Sequence, residues 1–309
     1  MARYYRKLAL LAKIETAYGT DAAPTGAANA ILATNVNFTP LEADEVSRDL
    51  LLPYLGNPGV VLAKIYGKID FEVEVAGSGT AGTAPAYGPL LRACGFAEVL
   101  TATTSAAYNP ISGAFEAATI WGNFDGVKHV FLGARGNVSA SFEPGKIPRF
   151  KFSFVGMLGT VSDAALPATT LTAWKTPLTV SKASTPTLTV HGSAAPAESF
   201  SFDMGNQVEP RFLIGAESIE LSDRSAKGTL VVQASPLATV DWFARAQART
   251  RGVLQLVHGV TAGNIVQIDA PAVEIGKPTQ GQTQGILNYS IPLSFCTSSG
   301  NDEITITVK

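Results

Sequence analysis

The chain has 309 residues, 46% hydrophobic and 16% charged, so it can bury a sizeable core and lies outside the disordered class. Its formal net charge of −2 argues against a protein whose work is to neutralise nucleic-acid phosphates. Cys94 and Cys296 share no ligand-like spacing with His129, His191 or His258, and read as free thiols of a protein made in a reducing compartment.

In chain order, Arg3, Arg6 and Lys7 precede a short apolar run, Leu8–Ala12, which Lys13 and Glu15 end. A secretory segment needs roughly 7–15 apolar residues and a membrane helix about 18, so neither is expected here. The next clear element is Leu62–Val75. Lys64, Tyr66, Lys68, Asp70, Glu72 and Glu74 fall on one face, and Ile65, Gly67, Ile69, Phe71, Val73 and Val75 on the other. That alternation is the period of a half-buried antiparallel strand. A short helix is expected from Tyr87 to Cys94, opened by Pro89 and closed by Gly95. Asn137–Phe142, the turn Glu143-Pro-Gly-Lys146 and the run Arg149–Phe154 read as a β-hairpin with Phe150, Phe152 and Phe154 on one side.

Residues 160–199 are rich in Ser, Thr, Ala and Pro with Trp174 as an isolated anchor, and read as a linker laid across a surface. Beyond it the first half recurs. Lys227–Val232 echoes Lys68–Val73, a helix follows from Leu237 to Arg249 and stops at Gly252, and Val253–Val260 and Asn264–Ala270 add strands. The late landmark pairs Glu143-Pro-Gly-Lys146 with Glu274-Ile-Gly-Lys277, and Phe150–Phe154 with Leu287–Ile291. This implies an insertion in the second hairpin, Pro278–Gly285. Each half also opens on a polar, loop-like arm: Glu42, Asp44, Glu45, Arg48, Asp49, Pro53, Tyr54 and Asn57 in the first, and the shorter Asp203–Pro210 in the second. Loops of that size inside a compact unit are usually functional.

Catalytic and ligand motifs are absent or misleading. Gly77-Ser-Gly-Thr-Ala-Gly82 follows a strand, but Thr83-Ala-Pro85 and a short helix replace the long helix that a pyrophosphate site requires. No nucleophile elbow and no His-x-x-x-His pair occurs, and Asp70, Glu72 and Glu74 are the ordinary solvent face of a strand. The sequence therefore predicts no enzyme, no cofactor and no metal.

The stretch Lys13-Ile-Glu-Thr-Ala-Tyr-Gly-Thr20, continuing through Asp21–Pro24 and Thr25–Ile31, resembles the opening of major tail tube proteins of long-tailed (siphovirus-type) bacteriophages. The resemblance is specific over about the first 75 residues and architectural beyond them. It implies an all-β fold with one short helix per domain. The chain would form two tandem tube-domain β-sandwiches or half-barrels at 35–159 and 200–309, with an N-terminal arm at 1–34 and the linker at 160–199.

The resemblance further implies a structural subunit that stacks as rings into a hollow conduit for genome ejection. It would be assembled in the bacterial cytoplasm and carried in the virion tail, with tape-measure, tail-terminator and distal tail proteins as partners. Double-stranded DNA would pass without specific binding, and no membrane is involved. The Glu42–Gly59 arm would contact the next ring. Asp70, Glu72 and Glu74, with Thr229 and Gln233 as their second-half equivalents, are the lumen candidates, giving an acidic and neutral lining. Alternation alone does not say which face a lumen would see. Two ring compositions fit: three two-domain chains in a pseudo-sixfold ring, or six chains with residues 200–309 as an outward decoration. The recurring helix favours three. The rival classes are a two-domain β-sandwich binding module or adhesin and a β-rich hydrolase.

Overall fold

The computed structural model describes residues 2–309. The first half supplies β1 (Leu8–Ile14), β2 (Ala30–Ile31), β3 (Thr34–Ser47), β4 (Val60–Glu74), α1 (Gly88–Ala93), β5 (Phe96–Thr101), β6 (Ser105–Pro110), β7 (Ala118–Phe124), β8 (Val127–Phe142) and β9 (Arg149–Leu158). Then come β10 (Ser162–Asp163), β11 (Thr187–Val190), β12 (Ala197–Asp203), β13 (Asn206–Leu213), β14 (Ala216–Arg224) and β15 (Lys227–Gln233). The chain ends with α2 (Trp242–Ala248), β16 (Arg251–His258), β17 (Val266–Ile275), β18 (Thr279–Thr283), β19 (Ile286–Cys296) and β20 (Thr305–Val308).

The organising feature is one long antiparallel sheet in the order β3–β4–β9–β8–β12–β15–β19, whose last position is shared by β17 and β18 along β19. Its inward face carries Phe71, Val73, Phe150, Phe152, Phe154, Phe200, Phe202, Leu230 and Ile291, all essentially buried. These residues join a single core with β1, β6, β7, β16, β20 and both helices. A core of this size comes from strict two-residue alternation, because each inward position of neighbouring strands lands in the same layer.

The two halves repeat an order of pairing. β3–β4–β9–β8 has its counterpart in β12–β15–β19–β17/β18, and a helix follows β4 and β15 alike. The hairpin landmark must nevertheless be corrected. Gly145 lies in the β8–β9 turn, whereas Gly276 sits between β17 and β18, which both run along the same side of β19. The second tip is Gln284-Gly285, so the inserted residues are mostly a strand. The Glu-x-Gly-Lys likeness is local chemistry without topological equivalence.

Two other expectations shift, at the N-terminal arm and at the second helix, while the linker carries the short extended piece and the Trp174 anchor expected of it. Leu8–Ile14, placed in an N-terminal arm, pairs along its whole length with β7 and buries Leu10 and Leu11. Within the linker, β11 pairs β16, while Trp174 anchors the coil by donating its indole N–H to the Ala30 carbonyl at 2.9 Å. The second helix starts at Trp242, after Asp241 caps it by accepting from the Ala244 N–H at 2.8 Å; the Pro236 segment before it is turn.

Two glycines fix the path of β4 and β8. A Cβ on Gly67 would stand 2.3 Å from the Phe131 ring. Gly133 has φ +59° at the irregularity between Leu132 and Arg135, beyond which β8 leaves β7 and runs on to β12.

Candidate functional site: a polar sheet face, two free edges and a projecting hairpin

The outward face of the long sheet is polar. Reading straight across the strands, cross-strand partners run Glu72, Lys151, Ser139, Asp203, Lys227, Ser294, Glu274. The row beside it runs Glu74, Arg149, Ser141, Ser201, Thr229, Pro292. Asp70, Glu72, Glu74, Thr229 and Gln233 thus all lie on one face, and the topology carries that face across the seam between the halves.

This face is not the acidic and neutral surface expected. Lys151 stands directly opposite Glu72, Arg149 opposite Glu74, and Lys227 opposite Asp203. Glu72 accepts from Arg149 at 3.3 Å and from the Asn35 side chain at 2.9 Å, and Asp70 accepts from the Ser153 hydroxyl at 2.5 Å. The basic residues were present in the sequence, in the alternation Arg149, Lys151, Ser153 between the three phenylalanines. They were overlooked because the phenylalanines define the strand.

Within this sheet the outer edges of β3 and of β18 are unpaired among the described residues. Edges of that kind are association surfaces unless they are covered.

The arm expected as a loop begins as a β-hairpin strand and is loop over its remaining two-thirds. Glu42, Asp44 and Glu45 pair with Tyr66, Ala63 and Leu62, and residues 48–59, with Arg48, Asp49, Pro53, Tyr54 and Asn57, form the tip. Asp44 and Lys64 are joined at 2.7 Å, a contact that raises the lysine pKa. The sequence reading stressed the polar residues of this arm. The structure adds exposed apolar ones: Leu51 and Leu55 have no shelter at all, and Leu50, Tyr54, Val60, Val61 and Leu62 are largely open. A continuous exposed patch of this kind marks an interaction surface.

The second-half counterpart, between β12 and β15, is the hairpin β13–β14, which folds back onto the first half. Arg135, barely exposed, donates to the Ile219 and Phe115 carbonyls at 2.8 and 2.9 Å and pairs with Glu220 at 2.7 Å. Asn206 donates to the Cys94 and Gly136 carbonyls at 2.8 and 3.0 Å.

The N-terminal motif belongs to the same junction. Glu15 accepts from the Gly19 N–H (2.7 Å), the Thr119 hydroxyl (2.9 Å) and the Gly133 N–H (2.7 Å). The Tyr18 oxygen accepts from the Ile219 N–H at 2.6 Å, and its ring lies under the Arg135 guanidinium. Burial pushes the Tyr18 pKa up, against the Ile219 contact and the Arg135 charge.

The remaining polar groups are structural. The glycine-rich loop is clamped to the second half, with Gly77 N–H donating to Asn264 and Gly79 N–H to the Gly263 carbonyl. His258 packs edge-on to Phe142 with its Nδ1 beside the Thr185 hydroxyl. Burial lowers its pKa, partly offset by the Leu178 backbone. Among the described residues no group of three His, Cys, Asp or Glu side chains is placed to hold a metal, and no helix is long and apolar enough to cross a membrane.

In comparisons with known proteins, no curated protein matches the chain. The family model described as "Phage tail tube protein" matches residues 6–306. That match takes in the motif at Lys13–Thr20, both halves of the long sheet and the projecting hairpin, and the chain therefore belongs to the phage tail tube protein family: it is a non-enzymatic structural subunit of the virion tail.

Proposed function

We propose that this subunit builds the tube of a long, siphovirus-type tail by closing rings of three chains, each chain contributing two tandem tube domains, 35–159 and 200–309. Tail tube proteins polymerise with themselves, and the observation that carries this reading is the eight-position sheet with a free edge at β3 and another at β18. β12 stands to β15 as β3 stands to β4, and inside the chain β12 is already paired with β8. The β3 edge of a neighbouring copy fits the free β18 edge in the same way, a head-to-tail contact that closes into a ring. About 24 strands at ~4.8 Å spacing give a circumference of about 115 Å and a bore about 37 Å across before side chains and tilt are counted, room for a DNA duplex.

In this arrangement the polar face, with Asp70, Glu72, Glu74, Thr229 and Gln233, lines the channel. The arm tip with Arg48, Asp49, Pro53, Tyr54 and Asn57, together with its bare leucines, reaches the next ring. Tape-measure, tail-terminator and distal tail proteins occupy the lumen and the two ends. End-on electron-microscopy averages of polymerised protein test the reading. Hollow rings with threefold symmetry are expected; rings of six chains, with residues 200–309 projecting outward, would replace it with the decorated hexamer.

A further inference from the structure

The row Glu72–Lys151–Ser139–Asp203–Lys227–Ser294–Glu274 crosses both halves without interruption. Its charges fall in the order negative, positive, neutral, repeated, with a final negative. Five of the seven residues line one shallow groove of about 560 Å³ at the seam, together with Lys146 and Arg149. Lys151 and Lys227 are exposed. Neither has a carboxylate within 4.0 Å among the described residues, whereas Lys146 is tied to Glu143 and Arg149 to Glu72. Asp203 is held by the Asn137 side chain and the Gly205 N–H, each at 2.7 Å. Glu72 and Asp203 are thus held by neighbours, while the row's two lysines have no carboxylate partner among the described residues.

We propose that this row is a charge-compensating girdle of the channel wall, in which Lys151 and Lys227 cancel the neighbouring carboxylates so that passing double-stranded DNA is neither repelled nor gripped. The inference rests on the reading that the polar face lines the channel. Opposite charges here are one or two strands apart, about 5–10 Å, which is comparable with the Debye length of about 8 Å at physiological salt. A phosphate beyond that distance meets a nearly neutral wall, and one that comes closer meets a lysine already engaged by a carboxylate field. A purely acidic girdle would oppose entry. A basic one would bind phosphates in a salt-dependent way. The two lysines therefore set how freely DNA slides.

The test uses tubes polymerised from the full chain and a short double-stranded DNA fragment, with co-sedimentation at low and high salt. Wild-type tubes should retain little DNA. The triple variant Glu72→Gln, Asp203→Asn, Glu274→Gln should retain about tenfold more at low salt and lose it at high salt. The swap Glu72→Lys with Lys151→Glu keeps the row's total charge and should match wild type within about twofold, which separates charge from tube integrity. Labelling of Lys151→Cys in a Cys296→Ser background with a maleimide carried on a polymer too wide to enter the bore, before and after polymerisation, locates the face. Protection on polymerisation with unchanged DNA retention in the triple variant would overturn the girdle and leave the channel reading standing. Labelling that stays fast in tubes would overturn both.

Discussion

Glu15 shows how a short motif acts through residues far away in sequence. Its carboxylate serves three donors, two of them more than a hundred positions distant. Replacing it by alanine strands a fully buried threonine hydroxyl and the Gly133 N–H at the point where β8 changes partners. Each stranded donor costs about 1–3 kcal/mol, so Glu15→Ala should lose about 3 kcal/mol or more. It should lower the urea midpoint with the slope unchanged, and Glu15→Gln, which keeps one acceptor oxygen, should lose less. A loss below about 1 kcal/mol would show that water or another side chain takes over the three contacts. The motif Lys13–Thr20 was legible in the sequence as a family mark, but its work was not. Nothing in the spacing reveals that Glu15 and Tyr18 meet Gly133 and Ile219.

Strands announce themselves by alternation, and this is why β4, β8, β9 and β15 were readable from the sequence. Leu62–Val75 was placed correctly as a strand, with its inward face right from Gly67 to Val75, where every second residue is buried, but not at Ile65, which is exposed. The alternation fails to report what happens where both faces meet water. From Val60 to Ile65 the strand continues past the core, Lys64 adopts a positive φ, and apolar side chains stand open. Sequence reasoning put the arm's importance in its charges, since exposed leucines look like core residues until a fold exists. Those leucines yield an element-scale prediction. Leu51→Ser with Leu55→Ser removes no buried contact, so stability should stay within about 0.5 kcal/mol. Tube elongation, followed by light scattering and electron microscopy, should stop at rings or single subunits. Elongation at the wild-type rate would assign ring-to-ring contact elsewhere, with the β13–β14 tip at Ile214, which is fully exposed, as the next place to look.

At the scale of the whole molecule, a repeated order of pairing suggests two bodies, while the sheets tie the halves into one. The β8–β12 seam is one tie, from Phe142 opposite Phe200 to Ser139 opposite Asp203. The other is β20, which carries the end of the chain between β17 of its own half and β6 of the first. The sequence hinted at the repeat but not at this interlock, because pairing between distant strands leaves no local pattern. Ile304, Ile306 and Val308 are completely or almost completely buried. At about 1.5–3 kcal/mol for each such side chain, removing residues 304–309 forfeits an amount comparable with the whole stability of an ordinary domain, about 5–15 kcal/mol. It also uncovers β6, so the loss reaches the first half. Calorimetry of the unpolymerised chain should therefore give one transition with matching calorimetric and van't Hoff enthalpies, despite the repeat. The truncated chain should lack cooperative unfolding in both halves together. Two resolved transitions in the intact chain, or a truncation that melts only residues 200–303, would mean that the seams are contacts between independently folding domains. The ring would then have to be reconsidered as an assembly of six bodies joined by flexible links.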